Sequence, residues 1–183
     1  AVFWTDGVIT DLGIGGGTLA VANGCSADGS IVVGRAFIGG INHAVKWVNG
    51  GAAVDLGTLA GGSGAYRALK CSANGGVIVG QAGDSGGEQR AVYWDASGIH
   101  ELEVATILGG ETNIGIAVGV SADGAKIGVY VLDGSNLSYW PIVWRNTVPT
   151  LMRLGTATGS ELITNGTFTG GSTGWTLGGN VAY

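Results

Sequence analysis

The sequence predicts an all-β chain: a β-propeller-like array of about 45-residue four-stranded repeats. Three observations carry that expectation. A tryptophan-bearing segment recurs as Ala1-Val2-Phe3-Trp4, Ala44-Val45-Lys46-Trp47, Ala91-Val92-Tyr93-Trp94 and Ile142-Val143-Trp144, with the tryptophans spaced by 43, 47 and 50 residues. A turn quartet recurs as Ser26-Ala27-Asp28-Gly29, Ser72-Ala73-Asn74-Gly75 and Ser121-Ala122-Asp123-Gly124. Glycine is abundant at 38 of 183 residues against 2 prolines, while 45% of residues are hydrophobic, so the chain turns often and still has material for a core.

Each repeat opens on the tryptophan strand and continues into a second apolar run: Val8-Ile9-Thr10-Asp11-Leu12-Gly13, Ala53-Val54-Asp55-Leu56-Gly57, Ile99-His100-Glu101-Leu102 and the divergent Leu151-Met152-Arg153-Leu154-Gly155. A glycine-rich link then leads to a third run that closes on the Ser-Ala-Asx-Gly quartet. Asp-Gly and Asn-Gly tolerate the positive backbone dihedrals of a tight hairpin turn, so a fourth strand returns at once. That strand reads Ile31-Val32-Val33-Gly34, Val77-Ile78-Val79-Gly80 and Lys126-Ile127-Gly128-Val129. The array spans residues 1–155, in units 1–43, 44–90, 91–141 and a partial 142–155; residues 156–183 form a C-terminal β segment that completes the last repeat or opens a further module. Fewer than four repeats do not close a ring, so closure falls to the tail, to further sequence or to another subunit, with a linear β-solenoid as the alternative.

Composition narrows the partners. Only 11% of residues are charged and the net charge is −5, which disfavours nucleic acid and anionic membrane surfaces. No apolar run approaches the roughly 20 residues that span a bilayer, and the chain begins inside a repeat with no basic, apolar leader; the expectation is a soluble excerpt. Cys25 and Cys71 hold the same place in successive repeats, and the third repeat puts Val120 there. This register predicts two buried free thiols, too far apart for a disulfide.

The pattern of residues 1–13, Ala-Val-Phe-Trp-Thr-Asp-Gly-Val-Ile-Thr-Asp-Leu-Gly, followed by Ser-Ala-Asp-Gly-Ser-Ile-Val-Val-Gly at 26–34, resembles the bacterial extracellular HAF-type repeat. The likeness covers residues 1–155 and departs at Glu101-Leu102-Glu103, where the glycine is missing, and at Arg153. It implies an extracellular propeller-like array and transfers no catalytic residues. In the tail, Glu161-Leu162-Ile163-Thr164-Asn165-Gly166-Thr167-Phe168 and Thr173-Gly174-Trp175-Thr176-Leu177 resemble the opening strands of carbohydrate-binding-like modules, of the kind found in phage tail and other virion structural proteins.

Candidate chemistry is sparse. Asp11, Asp55 and Glu101 share one repeat position and could form a cation-binding ring, but an Asp before Leu-Gly is better read as a turn cap. Asp28, Asn74 and Asp123 are hairpin residues. His43, read as an inter-repeat loop residue, and His100, on a strand edge, have no partner at metal-ligand spacing, so no metal and no cofactor is expected. The glycine clusters at 15–17 and 61–62 precede no helix and so cannot cradle phosphate. No serine-nucleophile motif is present, and the chain reads as non-enzymatic.

The aromatics divide into two groups. Trp4, Trp47, Trp94 and Trp144 follow the repeat and are expected in the core. Tyr66, Tyr139, Trp140, Trp175 and Tyr183 fall outside that register, and Tyr139, Trp140 and Trp175 are the candidate ligand-binding residues, since a ring face stacks on a pyranose. The competing role for Trp140 is packing against Pro141 to seal a loop. The expected function is a structural or adhesion module at the cell exterior or on a virion surface, as in a phage tail or fibre, contacting copies of itself, other surface proteins or glycans. The alternative is an accessory domain of a secreted enzyme whose catalytic part lies elsewhere.

Overall fold

The computed structural model describes residues 1–14, 16–62, 66–103, 114–133, 138–145 and 148–151, and every regular element among them is a β-strand. Ala1–Met152 forms one compact unit and Arg153–Tyr183 a second, which lies outside the described residues. The first unit begins with a two-stranded hairpin, β1 (Val2–Thr5) and β2 (Val8–Asp11). Three four-stranded antiparallel sheets follow. They are β3 (Leu19–Cys25), β4 (Ile31–Ile38), β5 (Ile41–Val48) and β6 (Val54–Asp55); β7 (Arg67–Cys71), β8 (Ile78–Gly83), β9 (Gln89–Asp95) and β10 (Gly98–Glu101); and β11 (Ile114–Val120), β12 (Lys126–Asp133), β13 (Ser138–Arg145) and β14 (Val148–Leu151). No helix among the described residues is long and apolar enough to cross a membrane.

The sheets are half a repeat out of phase with the copies read from the sequence. Each sheet takes the third and fourth strands of one copy and the first and second strands of the next. The reason is connection length: only Gly39 and Gly40, both at positive φ, separate β4 from β5, so the chain must fold back as a hairpin there. The link from β2 to β3 is longer and leads to a new sheet. By this phasing the third sheet already has its four strands at Leu151, without residues 156–183.

The three sheets share one register. Val32 pairs with Trp47, Ile78 with Trp94 and Ile127 with Trp144. The first strand of each carries a bulge, between Ala22 and Gly24, Ala68 and Lys70, and Ala117 and Gly119. A Cβ on Gly34 or Gly80 would run into the Val21 or Arg67 carbonyl oxygen. That collision explains these two glycines inside β4 and β8, whereas the third sheet carries Val129 at the equivalent place, opposite Ala117.

The core lies in layers between successive sheets. Leu12 and Phe3 of the hairpin cover Val32, Val45 and Trp47; Val33 and Ala44 meet Tyr66, Ile78, Val92 and Trp94; Val79, Ala91 and Leu102 meet Ala117, Ile127, Val129 and Ile142. Each sheet thus presses its tryptophan face on the sheet before it. Trp47 and Trp94 are 0% and 2% exposed, whereas Trp4, expected beside them in the core, is 66% exposed. Among the described residues no sheet precedes β1, so nothing covers that face. Trp144 stands on β13 at the same register as Trp47 and Trp94.

The cysteines show the same asymmetry. Both are free, but Cys25 is exposed and only Cys71 is half-buried, contrary to the expectation of two buried thiols. Cys71 packs in the layer that holds Ile31 and Val33 of the first sheet, and burial, with Cys25 nearby as a second cause, pushes its thiol pKa up. Cys25 has no such layer over it.

Candidate binding face

Antiparallel strands give the sheets two ends, and the Ser-Ala-Asx-Gly turns occupy one. Ser26 Oγ donates to Asp28 Oδ1 at 2.6 Å and accepts from the Ile31 N–H at 3.0 Å, while Asp28 Oδ1 also accepts from the Ser30 N–H at 3.0 Å. The second turn repeats this with Ser72, Asn74, Gly76 and Val77, and the third with Ser121, Asp123, Ala125 and Lys126. Gly29, Gly75 and Gly124 take φ of 72°, 68° and 78°, which a side chain would strain. Hydrogen bonds from Ser26 and then Ser30 hold the Asp28 carboxyl at about 2, and Ser121 lowers that of Asp123. These carboxylates are committed to turn donors, which suits the hairpin role.

The turns are also stitched to each other. The Ala27 N–H donates to the Ala73 carbonyl at 2.9 Å, and the Ala73 N–H to the Ala122 carbonyl at 3.0 Å. One hydrogen bond per sheet thus fixes the relative height of successive sheets.

The Asp-Leu-Gly runs are structural as well. Asp11 Oδ1 and Asp55 Oδ1 accept from the Gly13 and Gly57 N–H groups at 2.9 Å each. The Leu12, Leu56 and Leu102 N–H groups donate to the Ala1, Ala44 and Ala91 carbonyls. Glu101, with Leu102 and Glu103 after it, cannot make the same cap; its carboxyl is raised by burial against the opposing pull of Arg90.

The opposite end, at the β4–β5, β8–β9 and β12–β13 connections, differs from sheet to sheet. Four residues before each paired tryptophan stand His43, Arg90 and Trp140. His43 is on β5 rather than in a loop; its Nδ1 lies 2.7 Å from Asp55 Oδ2 and its ring meets Tyr66 edge-on at 6.3 Å. Arg90 grips Asp84 Oδ2 through Nε at 2.9 Å and Nη2 at 2.6 Å, and reaches Glu88 at 2.9 Å and Glu101 at 3.8 Å. The bond from Arg90 lowers the Asp84 carboxyl; burial works against the charge on Arg90, yet Asp84 and the two glutamates leave its pKa raised. In the third sheet the register position of His43 and Arg90 is Trp140, paired with Val131, and that of Asp55 and Glu101 is Leu151, paired with Ile142. A polar residue beside a carboxylate in two sheets is therefore replaced at both register positions by apolar residue types in the third.

One cluster escaped the sequence reading: Asp95, Ser97 and His100 around the β9–β10 turn. Ser97 Oγ lies 2.6 Å from Asp95 Oδ1 and 2.8 Å from His100 Nε2, and His100 Nε2 lies 3.1 Å from the same Asp95 oxygen. A hydrolytic relay needs the two imidazole nitrogens to face serine and carboxylate separately, and here one nitrogen meets both. The Asp-x-Ser-x-x-His spacing was visible in the sequence, but the Ser97 bonds that lower the Asp95 carboxyl mark a turn cap. The His100 ring stacks on Tyr93 at 4.6 Å, and burial raises the Tyr93 hydroxyl pKa. Among the described residues no three His, Cys, Asp or Glu side chains are placed to hold a metal ion.

Of the candidate ligand-binding residues, Tyr139 and Trp140 are adjacent on β13, and Trp175 lies outside the described residues, as does Tyr183. Tyr66 is buried between the first two sheets, a core residue despite its place outside the tryptophan register.

No family model matches the chain, and no curated protein matches it. Among solved structures it is similar to TolB from Acinetobacter baumannii, with 13% identity and a TM-score of 0.53 over 73% of this chain and 32% of that one. It is also similar to a protein assigned as TolB from Agrobacterium tumefaciens, with 14% identity and a TM-score of 0.57 over 79% of this chain and 50% of that one. The chain spans between about a third and a half of those structures. At such identities the likeness shows the fold alone: an all-β, propeller-like architecture of antiparallel sheets.

Proposed function

We propose that this chain is a non-enzymatic binding or structural module, built from about 45-residue repeats that each contribute one propeller blade, and that its third sheet presents a site for a neutral, sugar-like ligand or a protein surface. The observation that carries the reading is the register exchange at one end of the sheets. His43 and Arg90 are paired with carboxylates there, while the third sheet has Tyr139-Trp140 with Leu151 opposite Ile142. Copying preserves a core residue and leaves a binding residue free to diverge, and Trp140 in place of His43 and Arg90 suits an uncharged ligand. The resemblance of residues 1–155 to the extracellular HAF-type repeat supports placement at the cell exterior or on a virion surface. The tail's likeness to carbohydrate-binding-like modules points the same way.

Glycan-array screening of the whole chain, repeated with Trp140→Ala and Tyr139→Ala, tests this. The reading expects a hit that survives moderate salt and is lost in the Trp140 variant while its circular dichroism is unchanged. A hit indifferent to both substitutions would remove the third sheet from the site. Absence of any glycan or protein ligand, together with tight incorporation into a filament or particle, would leave a purely structural role.

A further inference from the structure

Three Asn-Gly pairs fall among the described residues, Asn23-Gly24, Asn49-Gly50 and Asn74-Gly75, and the fold restrains them unequally. An asparagine followed by glycine is prone to deamidate itself: the next backbone nitrogen attacks the side-chain amide carbon, and glycine puts no side chain in the way. The reaction requires that nitrogen and that carbon to meet, so whatever holds either group in place slows it. Asn23 is half-buried on β3, and its Nδ2 donates to the Ala68 carbonyl of the next sheet at 2.8 Å. Asn74 is exposed, yet its Oδ1 accepts from Ser72 Oγ at 2.8 Å and from the Gly76 N–H at 2.9 Å. The attacking nitrogen there, that of Gly75, is itself engaged with the Ser72 carbonyl at 2.9 Å. Asn49 has neither restraint. It is exposed in the turn that follows β5, closed by the Gly51 N–H on the Val48 carbonyl at 2.9 Å, and among the described residues neither its side-chain amide nor the Gly50 N–H has a hydrogen-bond partner.

We propose that Asn49 is a self-modification site of the folded chain. The Gly50 nitrogen bonds to Asn49 Cγ and gives up its proton, the amide nitrogen leaves as ammonia, and water then opens the cyclic imide at either carbonyl. The products are aspartate and isoaspartate at position 49. The fold accepts the aspartate, because Asp6-Gly7 in the β1–β2 turn already holds the same backbone conformation, with φ of 49° and 81° against 50° and 68° for Asn49-Gly50. Isoaspartate lengthens the backbone by a methylene. That insertion falls where the Asn49 N–H donates to the Ser30 carbonyl at 2.7 Å and where Gly50 faces Phe3 and Thr10 of the first hairpin. The aspartate form therefore keeps the hairpin on the first sheet, and the isoaspartate form loosens it.

The test incubates the whole chain in mildly alkaline buffer, folded and in urea, and follows the mass gain of amide-to-acid conversion after trypsin. The tryptic peptides ending at Arg35, Arg67 and Arg90 carry Asn23, Asn49 and Asn74 one apiece. In the folded chain Asn49 is expected to convert about tenfold or more faster than Asn23 and Asn74, and in urea the three rates should converge. A tenfold gap corresponds to about 1.4 kcal/mol of barrier, within reach of the three hydrogen bonds at Asn74 and Gly75. The separated isoaspartate form should show faster hydrogen exchange in β1 and β2 than the unmodified chain. Equal rates at the three sites when folded, faster conversion at Asn23 or Asn74, conversion of Asn49 in urea alone, or an isoaspartate form whose hairpin exchanges no faster would each overturn the proposal.

Discussion

Serine and Asx side chains replace backbone partners at three turns, and they set much of what single substitutions should do. Ser72 is buried, and its hydroxyl serves both Asn74 and the Val77 N–H. Ser72→Ala should therefore cost about 1–3 kcal/mol by leaving those groups without their partner, measured as a shift in the urea midpoint at constant slope. Asp28 behaves differently because Asn74 already does its job in the next turn. Folding holds the Asp28 carboxyl at about 2, below its unfolded value, so its stabilising contribution is complete above roughly pH 4 and disappears as the pH falls toward 2. Asp28→Asn should keep the fold and flatten that part of the acid-unfolding curve; an unchanged acid limb would show that the turn carboxylate is not linked to folding.

At the level of strands and turns, Gly34 and Gly80 are dictated by the carbonyl that each faces, and Gly80→Ala makes this measurable. A methyl there meets the Arg67 carbonyl, so the variant should lose about 1–3 kcal/mol, whereas Gly86→Ala, which sits in the exposed β8–β9 turn, should change stability by less than about 0.5 kcal/mol. Much of this element structure was legible in advance. The Trp strands, the Asx-Gly hairpins and the Leu of each Asp-Leu-Gly run all announce themselves by recurrence. What recurrence cannot reveal is phase, because a repeat read from any starting point is equally periodic; the length of the Gly39-Gly40 connection decided it. His43 was misplaced into a loop for the same reason. The register of Trp140 with His43 and Arg90 was available by counting back from each tryptophan, but its meaning appeared only when Asp55 and Glu101 were found opposite.

For the whole molecule, the governing feature is that each sheet is completed by the one before it. Cys25 and Trp4 violated the expectation of burial through their position at the start of the described array, since Trp47, Trp94, Cys71 and Val120 are at least half covered. Recurrence identifies a residue that is suited to a buried face, and a neighbouring sheet is still required to bury it. The central claim is tested most directly by comparing two chemically identical truncations, Trp47→Ala and Trp4→Ala, by urea unfolding of the whole chain. Trp47 sits in a closed layer against Leu12 and Phe3, so its loss should cost about 3–5 kcal/mol through lost burial and the cavity left behind. Trp4, with its face open, should cost less than about 1 kcal/mol. Equal losses at the two positions would mean that the Trp4 face is covered in solution and would contradict the arrangement in which a sheet buries its tryptophan only against a preceding neighbour.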